Sequence, residues 1–188
     1  MLIAAAIVTG KANAQETTFG VKAGLNVYNI HNKNGYEYDS KTSVHGGLLA
    51  HIHLNQHWAL QPEVVYSAQG AINNAQTPNS TIKMGYVNVP VLVQYMFDKG
   101  FRLEAGPQVG FLTSAKLKTN GVESDRKDYF KTVDFGIAAG ASYLFSHSGL
   151  GVDARYNLGL SDINKTGNVE SNNRGFQLGL FYLFPHSK

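Results

Sequence analysis

The sequence contains no cysteine in its 188 residues. That excludes a disulfide framework, a thiolate metal site, a cysteine nucleophile and a lipoprotein anchor. Charge is also scarce. Asp, Glu, Lys and Arg make up 15% of the chain, against roughly 25% in an ordinary soluble domain. The net charge is only +3 with histidine neutral, and no block of Lys and Arg points to nucleic acid. No apolar run approaches the ~20 residues of a spanning helix. Neither G-x-S-x-G nor H-E-x-x-H occurs, so no catalytic residue is assigned, no enzyme is expected and no cofactor is called for. Ser146-His147-Ser148 reads as a turn, because a nucleophile needs an oriented base and not merely a sequence neighbour. What the chain does have is 43% hydrophobic residues, 20 glycines, 10 Phe and 10 Tyr. That is too apolar for disorder and long enough for one sizeable domain.

The first residues, Met1 to Val8, are apolar and lead to Ala12-Asn13-Ala14. An apolar stretch closed by A-x-A describes the end of a secretory signal peptide. Residues 1–14 are therefore expected to be a signal peptide, cleaved after Ala14, with residues 15–188 as the mature domain. Cleavage removes Lys11 and leaves a charge of +2.

Beyond that point the chain alternates, with the period of strands whose two faces differ. Phe19, Val21, Ala23, Leu25 and Val27 oppose Gly20, Lys22, Gly24, Asn26 and Tyr28. Val44, Leu48, Ala50, Ile52 and Leu54 oppose His45, His51 and His53. The same pattern recurs around Trp58 to Tyr66, Val87 to Tyr95, Phe101 to Phe111, Val133 to Tyr143, Val152 to Leu160 and Phe176 to Phe184, which makes eight strands. Short connections (Asn55 to His57, Asp98 to Gly100, Ser146 to Gly149) alternate with long ones (about Ile30 to Ser43, Gln69 to Ile82, Thr113 to Tyr129 and Ser161 to Arg174). An even number of antiparallel strands with short turns at one end and long loops at the other is the plan of an outer-membrane barrel. The predicted fold is an all-β, eight-stranded antiparallel up-and-down transmembrane barrel with short periplasmic turns and four long extracellular loops. Pro62, Pro90 and Pro107 fall inside strand patterns, where bulges or strand ends are expected.

Alternation also fits a soluble, lipocalin-like periplasmic carrier, apolar inside and wet outside. Composition separates the two. The polar face is mostly Gly, Asn, Gln and Ser, which suits a narrow interior more than a solvated surface. Aromatics sort by height. Phe19, Trp58, Tyr95, Phe97, Phe101, Tyr143, Phe145, Tyr182 and Phe184 lie near the short turns. Tyr28, Tyr66, Tyr86, Phe111, Phe130 and Phe176 lie near the loops, with Val, Leu, Ile and Ala between. Two aromatic girdles around an aliphatic band is what a bilayer selects.

Several short motifs then align with a known family. Gly47-Leu48-Leu49, Leu60-Gln61-Pro62-Glu63 and Ser67-Ala68-Gln69-Gly70 resemble the first hairpins of the outer membrane protein beta-barrel domain, in its PorT-like group of small barrels. Tyr86-Val87-Asn88-Val89-Pro90-Val91-Leu92 resembles the fourth strand, Leu103-Glu104-Ala105-Gly106-Pro107 the fifth and Asp134-Phe135-Gly136 the sixth. Asp153-Ala154-Arg155-Tyr156-Asn157-Leu158-Gly159-Leu160 resembles the seventh. The resemblance implies an eight-stranded barrel in the outer membrane of a Gram-negative envelope. It brings no single activity, since the group is functionally mixed; one member type supports protein secretion and gliding. The four residues after Phe184 depart from barrels that end on the aromatic. The partners implied are outer-membrane lipid, lipopolysaccharide and the barrel-assembly machinery, with a protein or small-molecule ligand at the loops.

Six charged residues share the polar face within one band: Lys22, Glu63, Arg102, Glu104, Asp153 and Arg155. Their chemistry fits an ion pathway or a plug of salt bridges. The plug is expected, because eight strands leave room only for side chains and an isolated buried charge is costly. His45, His51 and His53 on one strand, with His57 at the next turn, offer imidazoles but no second cluster to complete a metal site. None is assigned. Lys116, Lys118, Arg126, Lys127 and Lys131 stand beside Glu123, Asp125 and Asp128 in a mixed patch that could meet anionic lipopolysaccharide or a partner. The reading is a non-enzymatic scaffold whose loops carry any binding, with a narrow porin or a secretion component as the alternative.

Overall fold

The computed structural model describes residues 16–33, 38–73, 79–145, 148–165 and 170–185. The expected signal peptide, the Ser146-His147 turn and the last three residues lie outside the described residues.

The chain forms β1 (Thr17–Asn32), β2 (Asp39–His53), β3 (Trp58–Asn73), β4 (Ser80–Met96), β5 (Phe101–Thr119), β6 (Val122–Asp125), β7 (Val133–Leu144), β8 (Leu150–Gly159) and β9 (Ser171–Leu183). β6 is a short return along the loop end of β5, pairing Lys116–Thr119 with Val122–Asp125. The other eight make an antiparallel barrel in which each strand pairs with its neighbour in the chain. β9 closes it on β1, from Gly20↔Leu183 to Asn32↔Ser171. Closure satisfies backbone amides that an open edge would leave unpaired in lipid. Among the described residues no helix is long and apolar enough to cross a membrane.

Which face points out is decided by alternation. Leu178, Ile137 and Val91 are exposed at 59%, 46% and 37%, while Asn88 and Gln177 are buried inside. The outward positions from Val44 to Leu54, or from Phe101 to Phe111, carry no charge. A water-soluble carrier would need the opposite arrangement, so the lipocalin-like alternative is excluded. Near the short turns the outward rings touch one another in a belt. Trp58 meets Tyr95 at 5.0 Å, Tyr95 meets Phe97 at 4.8 Å and Phe97 meets Phe101 at 5.5 Å. Tyr143–Phe145 and Tyr182–Phe184 continue it. At the other rim the girdle is Tyr66, Phe111, Phe135 and Phe176, with Tyr156 against Phe176. Tyr28 and Tyr86, expected in that girdle, point inward and are buried. They follow the parity of Lys22 and Asn26 on β1 and of Asn88 on β4, and parity outweighs ring type.

Two further expectations are corrected. Much of what reads as long loop is strand, because the alternation continues past the girdle: β1 reaches Asn32, β3 reaches Asn73 and β5 reaches Thr119. The prolines cause no bulge. The β3–β4 register runs unshifted from Pro62↔Val91 to Val65↔Asn88, and β4–β5 from Pro90↔Gln108 to Val93↔Ala105. A proline removes one donor but not the pleat, and strands held on both flanks absorb the loss. The register shifts fall instead between Ser40 and His45 and between Gly85 and Tyr86.

Gly70 has φ +133°, and a Cβ there would stand 2.0 Å from the Ile82 carbonyl oxygen. Only glycine fits both constraints. Gly70→Ala is expected to cost roughly 1–3 kcal/mol, read as a lowered urea midpoint in detergent with the heat-modifiable gel shift retained.

Candidate functional site: the lumen and the loop end

The lumen is built from the inward half of each strand. Beside the long charged side chains stand residues without one. Gly140 pairs with Arg155, and a Cβ at Gly179 would lie 2.6 Å from Asp153 Oδ1. That room lets Lys22, Glu63, Glu104, Asp153 and Arg155 meet across the axis.

Arg155 is the hub. Its Nη1 and Nη2 each donate to Glu63 at 2.9 Å, and its Nε and Nη2 donate to Glu104 Oε1 at 3.0 and 2.8 Å. Lys22 donates to Asp153 at 3.1 Å and lies 3.5 Å from Glu63. Gln61 donates to Glu63 at 2.8 Å, and Gln94 to Glu104 at 2.7 Å. All five charged groups are buried. Arg102 stands apart from them. It is buried, its Nη1 has no hydrogen-bond partner, and no carboxylate pairs with it among the described residues. The sequence places it one pleat from Glu104 on the same face, but its side chain does not join the Arg155 hub.

Toward the loops the lumen is polar and mostly uncharged. Asn26 donates to Ser67 Oγ at 3.0 Å and to the Ala68 carbonyl at 2.8 Å. Its Oδ1 accepts from Gln177 at 3.0 Å and from His45 Nδ1 at 2.8 Å. His45 is thus committed to Asn26. His51 and His53 contact each other edge-on at 4.6 Å, and His57 stacks on Tyr95 outside. Among the described residues no three His, Cys, Asp or Glu converge to hold a metal. Further up, Asn173 donates to Asp134 at 3.1 Å and to the Tyr86 hydroxyl at 3.3 Å. The space between Tyr28, Asn88, Asp134 and Asn157 is about 10 Å³, room for roughly one water.

Both ends of this polar column are apolar. Leu49, Phe181, Leu183 and Leu144 pack at the short-turn end. At the loop end Ile30, Ala71, Met84, Tyr86, Leu112, Ala115 and Ile163 form a buried cluster, with Tyr38, Ile82 and Phe130 against it. Sequence reasoning missed this second cluster. Ile30, Ala71, Ala115 and Ile163 sit where the chain reads as loop, Tyr86 reads as a girdle ring, and the shift at Gly85/Tyr86 breaks the pattern that would have joined them. The continued alternation Asn26, Tyr28, Ile30 was the signal available.

The loop end is ion-paired on its outer surface. Glu123 takes Lys83 at 2.6 Å and Lys116 at 3.3 Å. Lys131 meets Asp162 at 2.9 Å, and Lys33 meets Glu170. Hydrogen bonds from Lys83, then Lys116, hold the Glu123 carboxyl below its ordinary range. The pairing is therefore present above the ordinary carboxylate range and is lost only as pH falls through the depressed value. A carboxyl-carbon NMR titration of Glu123 is expected to move back up to the ordinary range in Lys83→Met.

A closed eight-stranded barrel, apolar outside with a charged lumen, defines an integral outer-membrane β-barrel protein. The sequence agrees: residues 13–165 match the profile of the outer membrane protein beta-barrel domain, and the chain belongs to that family. The family description names no subgroup. No curated protein matches the sequence. Among solved structures, Neisserial surface protein A superposes with a TM-score of 0.63 at 17% identity, over 90% of this chain and 100% of its own. Ail, the attachment invasion locus protein of Yersinia pestis, superposes with a TM-score of 0.58 at 14% identity, over 90% of this chain and 99% of its own. Ail in complex with the heparin analogue sucrose octasulfate gives 0.54 at 18% identity, over the same shares. These likenesses establish the fold, and with the family they place the protein in the outer membrane.

Proposed function

We propose that the protein is a non-enzymatic outer-membrane scaffold with a closed lumen, which meets anionic saccharide at its loop end. The observation that carries closure is the Arg155 hub, ion-paired to Glu63 and Glu104 and enclosed between the apolar clusters around Phe181 and Met84. Charges already neutralised by each other, with apolar layers above and below, give a hydrated ion no route. The band of Lys22, Glu63, Arg102, Glu104, Asp153 and Arg155, three cations to three acids, then serves to hold register, with Arg102 balancing it through the field of Glu104.

Binding falls to the loop end, which we take as extracellular, with the short turns periplasmic. Among the described residues it carries ten Lys and Arg outside the lumen (Lys33, Lys41, Lys83, Lys116, Lys118, Arg126, Lys127, Lys131, Lys165, Arg174) against six acids (Asp39, Glu123, Asp125, Asp128, Asp162, Glu170). Lys83, Lys116 and Lys118 stand on the outward face just beyond the girdle, the height we assign to lipopolysaccharide phosphates. Such a patch attracts anions through a salt-screened field. The sulfated ligand named with Ail supports the idea that a barrel of this fold takes a polyanion. Export through a signal peptide at residues 1–14 and insertion of residues 15–188 by the barrel-assembly machinery belong to the same proposal, supported by the apolar run and Ala12-Asn13-Ala14.

The test is binding of lipopolysaccharide to the barrel in phosphatidylcholine nanodiscs. Binding that weakens with salt and with dephosphorylation of the saccharide, and tightens in Glu123→Gln as Lys83 and Lys116 are released, supports the reading. Binding indifferent to phosphate and salt overturns it.

A further inference from the structure

A second feature of the loop end is a recess of about 350 Å³, within the size range of small-molecule sites. Its walls are Ile82, Leu117, Tyr129 and Phe130, and its two cations are Arg126 and Lys116. The floor is firm, because Ile82 and Phe130 pack against the buried cluster that closes the barrel. The cationic side is held in place. The Arg126 amide donates to the Ala115 carbonyl at 2.8 Å, and its guanidinium lies 5.2 Å from the centre of the Tyr129 ring. Ring stacking orients the guanidinium but uses none of its donors. Arg126 Nε is buried and has no acceptor. Lys116 shares Glu123 with the closer Lys83, so its charge is only part-neutralised.

An apolar recess with one oriented guanidinium, whose Nε has no acceptor among the described residues, selects a particular ligand chemistry. A neutral hydrocarbon would leave Nε without an acceptor, at the cost of a buried unpaired donor. A polyanion would be a poor guest for the Ile82, Leu117 and Phe130 walls. A planar carboxylate matches the guanidinium fork. We propose that this recess binds a small amphipathic carboxylate, with its apolar body among Ile82, Leu117 and Phe130 and its carboxylate on Arg126. The site is independent of lumen closure, and although Lys116 also belongs to the outward lysines, the carboxylate is assigned to Arg126.

The test uses the whole barrel in phosphatidylcholine nanodiscs without lipopolysaccharide, titrated calorimetrically with 4-phenylbutyrate and with its neutral amide, after subtraction of empty nanodiscs. The acid is expected to bind saturably and about tenfold tighter than the amide, the worth of one charge-assisted hydrogen bond. Arg126→Gln is expected to abolish the preference for the acid. Leu117→Trp, which fills the recess, is expected to abolish binding of both. Retained heat-modifiable migration shows that each variant is folded, so loss of binding reports the site. No saturable binding to the unmodified barrel, an amide as tight as the acid, or binding that survives Leu117→Trp overturns the proposal. The absence of lipopolysaccharide keeps this result separate from that of the saccharide test.

Discussion

Arg155→Ala is expected to lower folding stability by about 3–5 kcal/mol, the range for breaking a buried ion pair from one side. The substitution removes four hydrogen bonds to Glu63 and Glu104. Glu63 keeps Gln61 and a 3.5 Å approach from Lys22. Glu104 keeps Gln94 and the field of Arg102. Three buried carboxylates then face Lys22 and the unpaired Arg102. The expected loss is much larger than that for Lys33→Ala, where an exposed pair with Glu170 contributes at most a small fraction of this. Urea unfolding in detergent, followed by tyrosine and tryptophan fluorescence, measures both. Comparable small losses in the two variants would mean that the lumen network does not hold the barrel together.

Leu178→Arg is the second large effect, expected at roughly 2–4 kcal/mol. Leu178 points outward, pairs with Leu25 and Ala154, and lies between Phe176 and Tyr182 on β9. An arginine there must sit in hydrocarbon or bend toward a rim. Asn172→Arg lies on the same strand and face, six residues nearer the loops and beyond Phe176. Its cost is expected at roughly 0–1 kcal/mol, because the interface tolerates charge. Asn172→Arg also gives up the hydrogen bond from Asn172 to the Ser161 carbonyl, so a small cost there, beside a large one at Leu178, points to depth. Equal costs would contradict the placement of the bilayer between the two aromatic belts.

The architecture was legible because a membrane barrel writes its two solvents into alternate residues. Phe19, Val21, Ala23, Leu25 and Val27 announce lipid as plainly as Lys22 and Asn26 announce the lumen. The inward band of charges was readable for the same reason, since Glu63, Glu104 and Arg155 share parity and similar distance from the short turns. Which acid meets which base was not readable, because it depends on the stagger between strands. Arg102 shows this, sharing the band with Glu104 yet lacking its link to Arg155. Strand ends were blurred, because beyond the girdle the outward residues become polar (Asn29, Lys83, Lys116) and the contrast that marks a strand fades while the pairing continues. The loop-end recess depends on the return of β6 and the Arg126–Phe130 turn onto β5. No local pattern encodes that return.

Ionic current through the purified barrel in planar bilayers tests lumen closure most directly. A paired and capped lumen gives no steady conductance above that of the bare bilayer, at either sign of voltage. Large, stable, ion-selective steps from the unmodified protein would contradict closure and assign the Arg155 band to an ion pathway.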